Sequence, residues 1–459
     1  MHRTLVLNVV GLTTDLLGPN TPHLNALIDR GAQAKLRTIA PAVTCSVQST
    51  FVTGTLPREH GCVANGWYFR DDAQVLLWRQ SNRLVHGEKL WDRAKRRDGR
   101  FTCAKLFWWY NMYSSADLSV TPRPIYRANG RKLPDVYSHP GTLRDELSDA
   151  LGTFPLFNFW GPNANIASSR WIADCAMHVQ RTREPTLNLV YLPHLDYNLQ
   201  RLGPNDPKIA EDVRAVDAVC GDLIAQAERD GVRVVVLSEY GITSVRGPVH
   251  INRALREAGL IAFREECGEE HFDAGASDAF AMADHQVAHV YVKDPARIGE
   301  VKALLEGLDG VESVLDDEGK RAHGLDHARS GELVAIAAAD RWFTYYYWLD
   351  DARAPDYARC VDIHRKPGYD PVELFIDPEL PLPMVYIGAT LFRSKVLNQR
   401  AMLDVIPLDA TLVKGSHGRP TDDLDAGPVF LTSEAGLLHD EVVEATDVQG
   451  LLLDHLFGA

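Results

Sequence analysis

The chain alternates short apolar runs with amphipathic stretches. Residues 5–10 form a β-branched run that ends at Gly11. Next comes Pro22-His23-Leu24-Asn25-Ala26-Leu27-Ile28, in which apolar residues recur at helical spacing between an opening proline and a closing Gly31. Strand, loop and helix are predicted in that order. The pattern returns with a strand over 187–192, a helix over 209–228, and a strand over 232–237 entered through Asp230-Gly231. Buried runs between amphipathic helices predict an α/β fold with a mainly parallel central sheet and helices on both faces. Polar residues just past the carboxyl ends of such strands line the ligand crevice, which singles out Gly11, His194, Asp196, Glu239 and Tyr240.

The texture changes near Ala274. A strand over 285–292, a helix over 295–308 and strands over 310–315 and 332–337 predict a small α+β subdomain of β-α-β-β order at 274–340, inserted into a single domain spanning 1–459. Residues 342–400 then read as a long irregular insertion near the site, beginning with the aromatic run Tyr345-Tyr346-Tyr347-Trp348. Loops of that length within a compact domain usually carry function. The aromatic run itself reads as a buried strand or subdomain contact, and Arg365-Lys366-Pro367-Gly368-Tyr369-Asp370 as a solvated turn.

Composition narrows the partners. With 62 acidic against 48 basic residues, a net charge of −14 opposes any broad grip on a nucleic-acid polymer. A small phosphorylated metabolite remains compatible, because a helix N-terminus or a bound cation reverses the field locally. Seven cysteines without a Cys-x-x-Cys pair, and an N-terminus lacking a small-residue cleavage site, point to a reducing, cytoplasmic location. No window approaches the ~18 uninterrupted apolar residues of a membrane span, so no membrane partner is expected. Nothing in the pattern fixes an oligomeric state.

The chemistry concentrates in Pro41-Ala42-Val43-Thr44-Cys45-Ser46-Val47-Gln48-Ser49-Thr50-Phe51-Val52-Thr53-Gly54, followed by Leu56-Pro57-Arg58-Glu59-His60-Gly61 and Asn65. A hydroxyl at a helix mouth sits among free N–H groups and the positive dipole end, which stabilise an alkoxide and an incoming phosphoryl oxygen. An N-cap threonine with no chemical role gives the same local pattern. Three later segments add weight: Asp196-x-x-x-Gln200-x-x-Gly203-Pro204, Ser238-Glu239-Tyr240-Gly241 and Gly415-Ser416-His417-Gly418.

Together these four segments resemble, in order, the motifs of the type I phosphodiesterase/nucleotide pyrophosphatase family of the alkaline phosphatase superfamily. The resemblance implies a Thr44 nucleophile, Asn65 holding a phosphoryl oxygen, and one or two divalent metal ions, zinc foremost with Mn or Mg as alternatives. Asp196, Glu239 and His417 would be metal ligands, with His194 a further donor; Gln200, Tyr240 and His364 would bind substrate. Several ligand positions are altered: Val10 stands for an aspartate, Gln200 for a histidine, Glu239 for an aspartate and Tyr240 for a histidine. Valine has no donor, an amide oxygen binds zinc weakly, and neutral tyrosine is a poor ligand.

Three outcomes follow from that mixture. If the strand extends that far, His194 shares the strand face of Asp196, with His250, Asp284, His285, Asp362, His364 and Asp370 as further convergent donors. Alternatively, one ion is held by Asp196, Glu239 and His417. The third outcome is a catalytically altered member that binds a metabolite or a partner protein. The function expected is metal-dependent hydrolysis of a phosphoester or pyrophosphate bond through a Thr44 phospho-enzyme.

Overall fold

The computed structural model describes residues 1–421 and 423–458. A nine-stranded sheet runs in the order Val442–Glu444, Ala32–Arg37, Val429–Thr432, Arg233–Leu237, Thr4–Val9, Leu187–Leu192, Cys103–Leu106, Leu118–Pro122 and Val136–His139. From Arg233–Leu237 to Leu118–Pro122 every pairing is parallel. Val429–Thr432 runs antiparallel to both neighbours, and the edge strand Val136–His139 is antiparallel to Leu118–Pro122.

Strand periodicity sorts the apolar residues between two cores. Leu5, Leu7 and Val9 face a core with Leu24, Ile172 and Val216, whereas Val6 faces Val47, Phe51 and Leu452 on the other side. Helices Pro22–Arg30, Ile166–Arg183 and Ile209–Arg229 cover the first face, and Thr44–Thr53, Leu90–Arg97 and Val448–Phe457 the second. The helix that opens with Pro22 is anchored by Asp217, whose carboxylate accepts the His23 and Leu24 N–H groups at 3.1 and 3.0 Å. An anion at that end offsets the helix dipole.

A second, antiparallel sheet orders Ala279–Asp284, Val287–Val292, Leu333–Ala337 and Val311–Leu315. It contains a first strand, Ala279–Asp284, and a helix, Asp317–Ala322, that the apolar pattern does not reveal. Three of that strand's six residues are alanine, which has weak strand preference. Tyr345 to Trp348 are fully buried against this second core but belong to no strand. The stretch read as irregular also holds a 13-residue helix, Pro383–Lys395.

Candidate active site

Three adjacent parallel strands, Thr4–Val9, Leu187–Leu192 and Arg233–Leu237, end on the same side of the sheet. Their exits carry Gly11 with φ +78°, Asp196 and Glu239. Thr44 meets them from helix Thr44–Thr53, as its first residue after Val43 in extended conformation. Its hydroxyl lies 3.1 Å from Tyr240 Oη, which donates to Asp196 Oδ1 at 3.3 Å. Thr44, Tyr240, Asp196 and Glu239 are all buried, Thr44 being only 3% exposed.

Each carboxylate is met by neutral donors. Gln200 Nε2 donates to Asp196 Oδ2 at 2.7 Å, and Gln200 Oε1 accepts from Tyr369 Oη at 3.1 Å. Glu239 Oε1 accepts from Asn8 Nδ2 at 2.5 Å and from Gln48 Nε2 at 2.6 Å. Burial with no cation nearby raises Asp196 to about 7 and Glu239 to about 8, the neutral donors only partly opposing it. Asp284 is raised by the same burial, against two hydrogen bonds from Asn65.

Asn65 braces the helix mouth. Its Oδ1 accepts the Cys45 N–H at 3.0 Å, while its own N–H and Nδ2 grip Asp284 at 2.8 and 3.0 Å. With both amide ends engaged, it positions the first helical turn, and one of its two Nδ2 protons is left over. Asp284 also contacts His285 Nδ1 at 2.8 Å. Four rings then stack in sequence: Tyr240 on His417 at 3.6 Å and 7°, His417 on His285 at 3.7 Å, and His285 on Tyr369 at 3.7 Å. Burial keeps both imidazoles well below the usual histidine range, so they are neutral. Their Nε2 atoms have no hydrogen-bond partner among the described residues.

These residues do not fit the divalent ions of the family pattern. Val10, at the aspartate position, is wholly buried in the apolar core. N–H and O–H protons point at the oxygens of Asp196 and at Glu239 Oε1, where a cation would need lone pairs. His417 Nε2 lies 3.9 Å from Asp196 Oδ1, a pair of donors where catalytic zinc takes three. Among the described residues no group of three or more His, Cys, Asp or Glu side chains has the geometry to hold a metal.

The structure thus brings Thr44, Asn65, Asp196, Gln200, Glu239, Tyr240 and His417 together, joined by Asp284 and His285. It sends others elsewhere. His194 was expected on the strand face of Asp196, but the strand stops at Leu192 and both residues lie in helix His194–Leu202. Two residues apart on a helix point to opposite sides, and His194 Nε2 sits 3.0 Å from Asp212 Oδ1. His364 is exposed, outside this hydrogen-bonded cluster. His250 bonds Thr344, Asp362 pairs with Arg365, and Asp370 pairs with Lys366. Asn8, Gln48 and Tyr369 were not anticipated. Asn8 was visible as the polar residue in an apolar run, and Gln48 as the residue four past Thr44 on one helix face; Tyr369 carried no signal.

Comparison with known proteins places the fold and the family. Murine ectonucleotide pyrophosphatase/phosphodiesterase 5, as an inactive variant in complex with AMP, superposes with a TM-score of 0.58 at 15% identity, covering 99% of this chain and 95% of that one. Phosphonoacetate hydrolase from Sinorhizobium meliloti, in complex with phosphonoformate, gives 0.60 at 13% identity, with 99% and 96% covered. Both share the α/β fold with its large central sheet. An uncharacterised pyrophosphatase/phosphodiesterase of Schizosaccharomyces pombe is 24% identical over 250 residues, which span 52% of this chain and 44% of that protein, less than half its length. No helix among the described residues is long and apolar enough to cross a membrane. The family and these neighbours are phosphodiesterases, pyrophosphatases and phosphonate hydrolases, consistent with a phosphoric ester hydrolase; the family is generally dependent on divalent metals. Residues 4–370 match the type I phosphodiesterase/nucleotide pyrophosphatase family, and the chain belongs to it.

Proposed function

We propose that this protein hydrolyses a phosphoester or pyrophosphate bond in a small phosphorylated metabolite, with the Thr44 hydroxyl as nucleophile. The observation that carries the reading is the chain of contacts from Thr44 Oγ1 through Tyr240 Oη to Asp196 Oδ1, at the mouth of a helix. As Thr44 Oγ1 bonds to phosphorus, its proton passes to Tyr240 Oη, whose own proton moves to Asp196. The leaving oxygen departs from the opposite side of phosphorus and takes a proton from water. First-turn N–H groups other than those of Cys45 and Val47, which Asn65 and Val43 hold, face the developing charge on the phosphoryl oxygens. The hydroxide left by that water attacks phosphorus from the side the leaving group vacated and stays on the product phosphate, the Thr44 oxygen leaves, and the relay runs in reverse to restore the Thr44 hydroxyl. A nucleoside monophosphate ester is the first substrate class to try, given AMP in the murine relative.

A second reading, binding without turnover, is favoured by one observation: both Asp196 oxygens are engaged and Thr44 is 3% exposed. Purified protein assayed on aryl phosphodiesters and nucleotides, with and without Zn²⁺ or Mn²⁺, separates the two. Turnover that falls at least about a hundredfold in Thr44→Ala and partly returns in Thr44→Ser supports hydrolysis. Activity unchanged in Thr44→Ala sinks the Thr44 reading. Absence of turnover together with saturable nucleotide binding selects the second one.

A further inference from the structure

Helix Pro383–Lys395 presents an unusual surface. Its inner side, with Tyr386 and Ile387, packs on the core of the second sheet. Its outer side does not: Met384 is 72% exposed, Val385 65% and Phe392 55%, and the apolar face extends to Leu382, Val396 and Leu397, each more than half exposed. Scattered exposed leucines need no explanation, but a contiguous apolar face marks a docking surface.

The charge around this face runs against the charge of the chain. Residues 380–403 contain Arg393, Lys395 and Arg400 and no acidic residue. The neighbouring hairpin over 123–133 contains Arg123, Arg127, Arg131 and Lys132 and again no acidic residue, while exposing Ile125 and Tyr126. The two segments are joined: Asn129 Nδ2 donates to Asn398 Oδ1 at 3.1 Å, and Arg400 to the Ala128 carbonyl at 2.8 Å. A protein of net charge −14 thus joins two segments that together hold seven basic residues and no acidic one, Lys132 being turned inward, beside exposed apolar side chains.

We propose that this surface docks on the face of a bilayer containing anionic phospholipids, with helix Pro383–Lys395 lying in the interfacial plane. The chemistry on both sides matches. The outer apolar side chains enter the headgroup and acyl boundary, and the basic residues meet lipid phosphates. A 13-residue helix is too short to span, so the attachment is peripheral and reversible. The expectation of no membrane partner came from a test for spanning segments, which an interfacial helix passes unnoticed.

Co-sedimentation with phosphatidylcholine vesicles, with and without phosphatidylglycerol, tests this independently of the Thr44 chemistry. Wild-type protein is expected to pellet with the anionic vesicles and to be released as salt is raised. Val385→Glu with Phe392→Glu, and separately Arg393→Glu with Lys395→Glu, are each expected to lower the partition at least about tenfold while keeping the wild-type melting temperature. Protein that stays in the supernatant with anionic vesicles, or binds both compositions equally, overturns the proposal. So does a concentration-dependent dimer by light scattering that V385E/F392E dissolves, which would show that a second copy covers the face. Turnover on soluble aryl phosphodiesters is read in the same variants and is expected to be unchanged, so failure of either idea leaves the other standing.

Discussion

Two of the buried polar clusters neutralise their carboxylates differently. In one, Lys366 Nζ sits 2.7 Å from Asp370 and 2.8 Å from Glu373, with all three side chains at most 2% exposed. In the other, Glu239 and Asp284 are equally buried and Asp196 nearly so, and they meet amides, a phenol and neutral imidazoles. Burial disfavours the charge on Lys366, yet Asp370 and Glu373 hold its affinity for a proton above the usual lysine range. No such cation stands beside Glu239. This fold therefore places a lysine against buried acids in one cluster and omits it in the other. In the crevice a proton or an incoming group has to compensate the carboxylates.

The largest expected effect comes from removing the cation that is present. Lys366→Met leaves Asp370 and Glu373 unpaired in the core, and breaking such a buried pair costs about 3–5 kcal/mol in urea denaturation. A loss near zero would mean that both acids protonate without penalty and that the clusters are alike. The crevice should respond less. Glu239→Leu strands the Asn8 and Gln48 amides, for about 3 kcal/mol, whereas Glu239→Gln keeps an accepting oxygen and stays within about 1 kcal/mol. Equal losses in the two variants would show that Glu239 acts as an anion, contrary to its raised proton affinity.

Metal offers the next test. Zinc added to the wild-type protein is expected to leave its melting temperature almost unmoved, because N–H and O–H groups face the carboxylates. Gln200→His with Tyr240→His replaces both donors to Asp196 by ring nitrogens near His417. Saturating zinc should then stabilise the variant by about 2.7 kcal/mol at a hundredfold excess over its dissociation constant. Strong zinc stabilisation of the wild type instead would restore the family's metal chemistry to this chain.

The difference between the clusters also marks what the sequence carries. The helix mouth at Thr44 and the strand exits at Asp196 and Glu239 were legible, because periodicity locates strand ends and a parallel sheet aligns them. The replacements at Val10, Gln200 and Tyr240 were legible as departures. Their consequence was not, since Asn8, Gln48 and Tyr369 reach the crevice from three separate segments whose register only the folded chain defines. His194 was misplaced for a local reason: Pro193 ends the strand run and opens a helix, a signal that outranks strand alternation. Helix Pro383–Lys395 was likewise announced by Pro383 at its first turn but lost among the aromatic and charged residues around it.

That helix supplies the smallest effect and the cleanest contrast with both clusters. Val385 and Phe392 are 65% and 55% exposed, so replacing both with glutamate removes few contacts within the folded chain. Unfolding free energy should change by less than about 0.5 kcal/mol, as for other surface substitutions. A loss of 2 kcal/mol or more, as expected for a buried position, would mean that these side chains pack against the protein itself in solution. The polar groups of the crevice are satisfied within the protein except at a few atoms, while the apolar face of this helix stands exposed among the described residues. Stability measurements should therefore register the crevice strongly and the helix hardly at all, leaving vesicle partition as the property to which the helix answers.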